Sequence, residues 1–90
     1  MRLESPAPNP TVGPVEIAFT LTREASVSLS IHDASGRRVV ELLSGRRAAG
    51  RHAARWDGRD ASGRRCPAGL YFVRLGSGAA FRASKVLLLH

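Results

Sequence analysis

The sequence predicts an all-β fold, an antiparallel sandwich of short strands, on three observations. Apolar residues recur at every second position through most of the chain, which is the side-chain period of a strand. Clusters of Gly, Pro, Asp and Ser interrupt these runs about every 8–12 residues, the spacing of sandwiches and small barrels. No long window carries the 3.6-residue period of a helix, so helix should be almost absent.

The first element is an entry arm. Ser5-Pro6-Ala7-Pro8-Asn9-Pro10 places prolines at alternate positions, which holds the backbone extended and removes main-chain donors. Residues 1–14 therefore read as a Pro-rich linker or edge arm, closed by Gly13-Pro14, with the sandwich domain at 15–90. From Val15 the alternation begins: Val15, Ile17, Phe19 and Leu21 face one way, Glu16, Ala18 and Thr20 the other. After Thr22-Arg23-Glu24 it resumes, with Val27, Leu29 and Ile31 inward and Ser28, Ser30 and His32 outward. Asp33-Ala34-Ser35-Gly36 is a hairpin turn in which Gly supplies the left-handed residue. Val39-Val40-Glu41-Leu42-Leu43 forms a third strand that is apolar in both registers, and Ser44 to Gly50 reads as a polar loop. His52, Ala54 and Trp56 share a face of the fourth strand.

The chain is organised around the next stretch. Trp56 carries the largest apolar surface in the sequence and must be covered. Asp57-Gly58 and Ser62-Gly63 favour tight turns, with a short extra pairing expected near Arg64 to Cys66. Pro67-Ala68-Gly69 then leads into a strand with Tyr71, Val73 and Leu75 on one face and Leu70, Phe72 and Arg74 on the other. An indole between a turn and a Tyr-led strand is a sandwich-core arrangement. Gly76-Ser77-Gly78 turns the chain again, and Phe81 to Leu89 forms the last strand. Its end, Val86-Leu87-Leu88-Leu89, is apolar on both faces. Either it is covered on both sides, by the Pro-rich arm or a neighbouring domain, or part of it is a docking surface.

Ninety residues make one domain, which at this size buries roughly 60–65% of its unfolded surface. Cys66 is alone, so no internal disulfide forms and cysteine usage decides no compartment. Residues 1–14 lack the apolar run of a signal peptide, and no stretch suffices to span a bilayer. An exported protein of this kind would carry its export signal elsewhere or in another form. The net charge of +7 comes from thirteen Arg and one Lys against seven acidic residues. A basic balance suits polyanions, yet Arg alongside abundant Ala and Gly also reflects GC-rich coding.

Chemistry finds little purchase. His32 and Asp33 are adjacent, and strand alternation sends them to opposite faces. No G-x-S-x-G elbow is present. His32, His52 and His90 are widely spaced and Cys66 has no partner, so zinc has no motif. Asp57-Gly58-Arg59-Asp60 puts an arginine where a calcium loop wants an oxygen. Gly36-Arg37-Arg38 and Gly45-Arg46-Arg47 are basic turns rather than phosphate loops. Nine arginines lie between Arg37 and Arg65, but the sole aromatic among them, Trp56, belongs to the core, whereas nucleic-acid binders interleave aromatics for stacking. No catalytic residue, cofactor, metal or specific nucleic acid is expected.

The pattern Asn9-Pro10, Val15-x-Ile17-x-Phe19-x-Leu21, Val27-x-Leu29-x-Ile31-x-Asp33-x-x-Gly36-Arg37-x-Val39, Gly50-x-His52-x-x-x-Trp56-Asp57-Gly58-x-Asp60-x-x-Gly63 and Pro67-x-Gly69-Leu70-Tyr71-Phe72-x-Arg74-Leu75 resembles the immunoglobulin-like domain named after the C-terminal part of the flagellar hook-capping protein. It is equally similar to the type A C-terminal sorting domain of proteins exported by the bacterial type IX system. The specific part is Trp56, Asp57, Gly58, Gly63, Gly69 and Tyr71. The resemblance implies an immunoglobulin-like antiparallel β-sandwich of about seven strands with no active site.

In type IX cargo such a domain ends the polypeptide and directs passage through the outer-membrane translocon. The placement of Lys85, Val86, Leu87, Leu88 and Leu89 fits that role, and these five are the candidate recognition residues, Leu87 and Leu89 being read if they point outward. The expected function is a secretion, sorting and surface-attachment signal on a larger exported protein, with secretion machinery or neighbouring domains as partners. The alternative is a structural or adhesive module, as in the flagellar hook cap, and binding of a polyanion is a third reading. Oligomeric state is open, although uncovered sheet edges can pair with one another.

Overall fold

Period-two alternation builds two facing sheets. In the computed structural model, which describes residues 1–89, the strands are β1 (Arg2–Leu3), β2 (Val15–Leu21), β3 (Ala25–Asp33), β4 (Arg38–Arg47), β5 (Gly50–Trp56), β6 (Gly69–Ser77) and β7 (Ala80–Leu88). One sheet runs β1-β2-β5 and the other β4-β3-β6-β7, every neighbour antiparallel. No described residue is helical. The chain changes sheets between β2 and β3, between β4 and β5, and between β5 and β6. The architecture is the immunoglobulin-like sandwich.

Alternation assigns the faces as the sequence predicts. Ile17, Phe19, Leu29, Ile31, Val73, Leu75 and Val86 are fully buried between the sheets, with Val15, Trp56, Leu88 and Tyr71 beside them. His52 and Ala54 point the same way as Trp56 but are half-buried, the His52 ring stacking on Phe19 with centroids 5.4 Å apart.

The stretch from Ser44 to Gly50, expected as a polar loop, is instead mostly strand. β4 continues to Arg47, and only Ala48 and Ala49 separate it from β5. Main-chain pairing explains the difference. Ala25, Ser26, Val27 and Ser28 pair with Arg47, Arg46, Gly45 and Ser44, and this hydrogen bonding needs no apolar side chain. The ambiguous facing of residues 39–43 also has a physical cause. Arg38, Val40, Glu41 and Leu43 lie opposite His32, Ile31, Ser30 and Leu29, and register shifts fall between Leu29 and Ser30 and between Ile31 and His32. Val39 and Leu42 are thus the extra residues of two bulges. With Val40 and Leu43 they all pack, half-buried, against the core.

The Pro-rich segment is bonded along both sheets. Arg2 and Leu3 pair with Thr20 and Phe19, the Glu4 amide donates to Ala18 O at 2.9 Å, and Ala7 exchanges two bonds with Glu16. The chain then crosses to the other sheet. Thr11 runs parallel to the end of β7, its amide donating to Leu87 O at 2.9 Å and its carbonyl accepting from the Leu89 amide at 2.7 Å. Asn9 fastens the same edge through its side chain, Nδ2 donating to Lys85 O at 2.9 Å and Oδ1 accepting from the Leu87 amide at 3.0 Å.

Candidate functional site

The signature residues form one structural knot at the end of β5. Trp56 is 1% exposed and its Nε1 donates to Arg59 O at 2.9 Å, so the turn that follows the strand returns to satisfy the indole. The Asp57 carboxylate accepts from the Arg59 amide and fixes that turn. Gly58 is left-handed at φ 81°, and that conformation rather than space calls for glycine, because a Cβ there would meet a Leu88 methyl only at an ordinary contact distance of 3.7 Å. Its carbonyl accepts from the Cys66 amide at 2.8 Å, and Arg59 bridges Arg65, which is the short pairing expected there. Tyr71 packs its ring 5.2 Å from the indole at 59° and its hydroxyl donates to Pro67 O at 2.7 Å. Gly69 opens β6.

The two buried titratable side chains of this knot are pushed toward their neutral forms. Burial pushes the Cys66 thiol up from its ordinary pKa, which keeps it protonated and a poor nucleophile. Burial likewise raises Tyr71. Every buried side-chain nitrogen and oxygen among the described residues has a hydrogen-bond partner. No described cluster of His, Cys, Asp and Glu has a metal-holding arrangement. His32 donates from Nδ1 to Gly36 O and accepts at Nε2 from the Ser30 hydroxyl, while Asp33 is engaged by its own turn. The two form no dyad. His52 donates to Ala48 O, and His90 lies outside the described residues.

The five candidate recognition residues divide by facing. Val86 and Leu88 are 0% and 2% exposed, so no partner reads them in the folded domain. Strand alternation on β7 sends them into the core. Lys85, Leu87 and Leu89 face outward, Leu87 at 38% and Leu89 at 42%. Leu87 sits directly across from Leu70 of β6, itself 38% exposed. These leucines make a small apolar patch beside the arm that covers the β7 edge.

One surface feature was missed from sequence, although its signal was plain. Asp33-Ala34-Ser35-Gly36-Arg37-Arg38 and Asp60-Ala61-Ser62-Gly63-Arg64-Arg65 are the same six residues twice. They fold alike. Asp33 Oδ1 accepts from the Ser35 amide and hydroxyl and from the Arg37 amide, and Asp60 Oδ1 from the Ser62 amide and hydroxyl and the Arg64 amide. Gly36 and Gly63 sit at φ 91° and 89°. These bonds hold both carboxyls below the usual aspartate range, led in each case by the serine hydroxyl. The Ala61 amide donates to Val39 O at 3.1 Å, setting the second turn beside the first. Between them lies an open depression of about 860 Å³.

The family model of the FlgD Ig-like domain matches residues 3–79. Among solved structures, FlgD of Xanthomonas campestris, described with the hook capping essential for flagellar assembly, is 29% identical with a TM-score of 0.66, covering 96% of this chain and 64% of that one. FlgD of P. aeruginosa is 24% identical with a TM-score of 0.64, over 82% of this chain and 60% of that one. PorZ of Porphyromonas gingivalis, an essential surface component of the type IX secretion system, shares the fold at 22% identity and a TM-score of 0.67, over 94% of this chain and 11% of that one. The chain therefore spans under two thirds of each of these proteins. No curated protein matches it.

Proposed function

The chain belongs to the FlgD Ig-like domain family, which is structural and non-catalytic, and from that membership we propose that it is the sorting and surface-attachment module of a larger exported bacterial protein. The observation that carries this reading is the outward apolar patch of Leu70, Leu87 and Leu89, with Lys85 on the same strand. A sandwich with its interior filled offers a partner only edges and faces. The patch is apolar where a solvated sheet would be polar, and its Leu70 and Leu87 are cross-strand partners on β6 and β7 of the larger sheet. The type IX surface component among the fold neighbours supports the same reading.

Fusing residues 1–90 to a reporter in a type IX-competent host tests it. The reporter is expected at the cell surface or in the medium, and retention inside the cell rejects the sorting role.

A second reading, a structural module of a hook cap, is favoured by the family match and by the 29% identity with the Xanthomonas campestris FlgD. In that case the parent gene carries a hook-type N-terminal region. A large secreted enzyme upstream favours sorting instead.

A further inference from the structure

We propose that the depression between the two identical Asp-Ala-Ser-Gly-Arg-Arg turns binds an acidic peptide segment. The inference does not rest on the export reading, although Leu70 belongs both to the outward leucine patch and to the lining of the depression.

The local chemistry of each turn separates its charges. The aspartate is turned inward on two amides and a hydroxyl, which occupies its oxygen with donors of its own turn. The arginine pair that follows is left on the surface. Because the Ala61 amide is bonded to Val39 O, the pairs from both turns, Arg37, Arg38, Arg64 and Arg65, line one depression. Against Asp33 and Asp60 they leave a surplus of two positive charges. The ion pairs of the first turn are weak competitors. Arg37 Nε stands 3.7 Å from Asp33 with its side chain 85% exposed, and Arg38 meets Glu41 at 3.3 Å on open surface. Such exposed pairs exchange readily with a ligand carboxylate.

Three features select the occupant. The guanidinium fork matches a carboxylate with two parallel hydrogen bonds. The arginines come in two pairs on separate turns, so the ligand carries more than one anionic group. Val39, Ala61, Ala68 and Leu70 also line the depression, giving apolar contact to side chains between the acids. A single-stranded nucleic acid finds no platform here, because stacking needs an open aromatic face and the one aromatic in the lining, Tyr71, is 5% exposed. The volume of about 860 Å³ falls within the range of ligand clefts.

The test titrates the 90-residue chain at low salt with a labelled peptide of alternating aspartate and valine. The same peptide with asparagine for aspartate and a DNA duplex serve as comparisons. R37Q/R64Q removes one charge from each turn and keeps both main-chain amides, while R23Q/R55Q removes two exposed charges elsewhere. Thermal melts of both double variants establish that they fold. The proposal expects the aspartate peptide to bind, the asparagine peptide not to, and R37Q/R64Q to weaken binding at least about tenfold, with R23Q/R55Q below about threefold. Three results overturn it: no aspartate-peptide binding, a similar loss in both double variants, or tighter binding of the duplex than of the peptide.

Discussion

Trp56 is the residue whose loss the fold withstands least. Its ring is sealed between the sheets, its nitrogen is satisfied by Arg59 O, and Tyr71 packs across it. Trp56→Ala removes all three contacts, and truncating a buried aromatic costs about 3–5 kcal/mol, a large part of the 5–15 kcal/mol or so that holds a small domain. Thermal or denaturant unfolding should show that loss, and a cost near that of a surface substitution would contradict the packing. Tyr71→Phe keeps the ring and deletes the hydroxyl with its bonds to Pro67 O and the Cys66 side chain, so it should cost about 1 kcal/mol. Both residues were legible from sequence because large side chains declare their face through alternation. Their hydrogen-bond acceptors were not, since Arg59 and Pro67 contribute carbonyl oxygens that any residue would carry.

Among elements, the paired turns allow a controlled comparison. Gly36 and Gly63 share sequence context, hydrogen bonding and left-handed φ, and a Cβ at either would meet nothing within 4 Å. Substitution by alanine therefore strains the backbone alone, at roughly 1–2 kcal/mol. Gly36→Ala and Gly63→Ala should destabilise the domain by similar amounts in chemical denaturation. A large inequality would mean the turns are not equivalent. The N-terminal arm has its own test. Asn9→Ala removes both side-chain bonds to β7, so hydrogen exchange should quicken at the Leu87 and Leu89 amides while the central strand β3 stays protected. Unchanged exchange at Leu87 would show that the arm is held without Asn9.

The inward faces of β2, β3 and β6 were readable in advance and match, while Ala18 and Ser30, expected on the outer faces, are buried as well. What failed was the course of β4, where bulges broke the alternation and a polar tail was retained by main-chain pairing alone. The arm's bonding to β7 was hidden for the same reason. A run of prolines shows that a segment is extended but not which edge it follows.

For the molecule as a whole, acid is the informative stress. Asp33 and Asp60 are held below the ordinary aspartate pKa, first by the serine hydroxyls and also by main-chain amides. Their unfolded forms therefore take up protons at higher pH than their folded forms. Stability from these groups is complete above the unfolded value and is lost as pH falls through the lower folded value. The melting temperature should hold steady through mild acid and drop only below about pH 4. In D33N/D60N that drop should be shallower, and an unaltered slope would remove these turns from the acid response.

The interior of the sandwich is given over to packing around one indole. As Trp56 is the sole tryptophan, its fluorescence reports that interior without ambiguity. Acrylamide quenching of the native chain tests the claim most directly. The account predicts blue-shifted emission, scarcely quenched until cooperative unfolding shifts it to the red. Emission and quenching like those of tryptophan free in water, under native conditions, would contradict it.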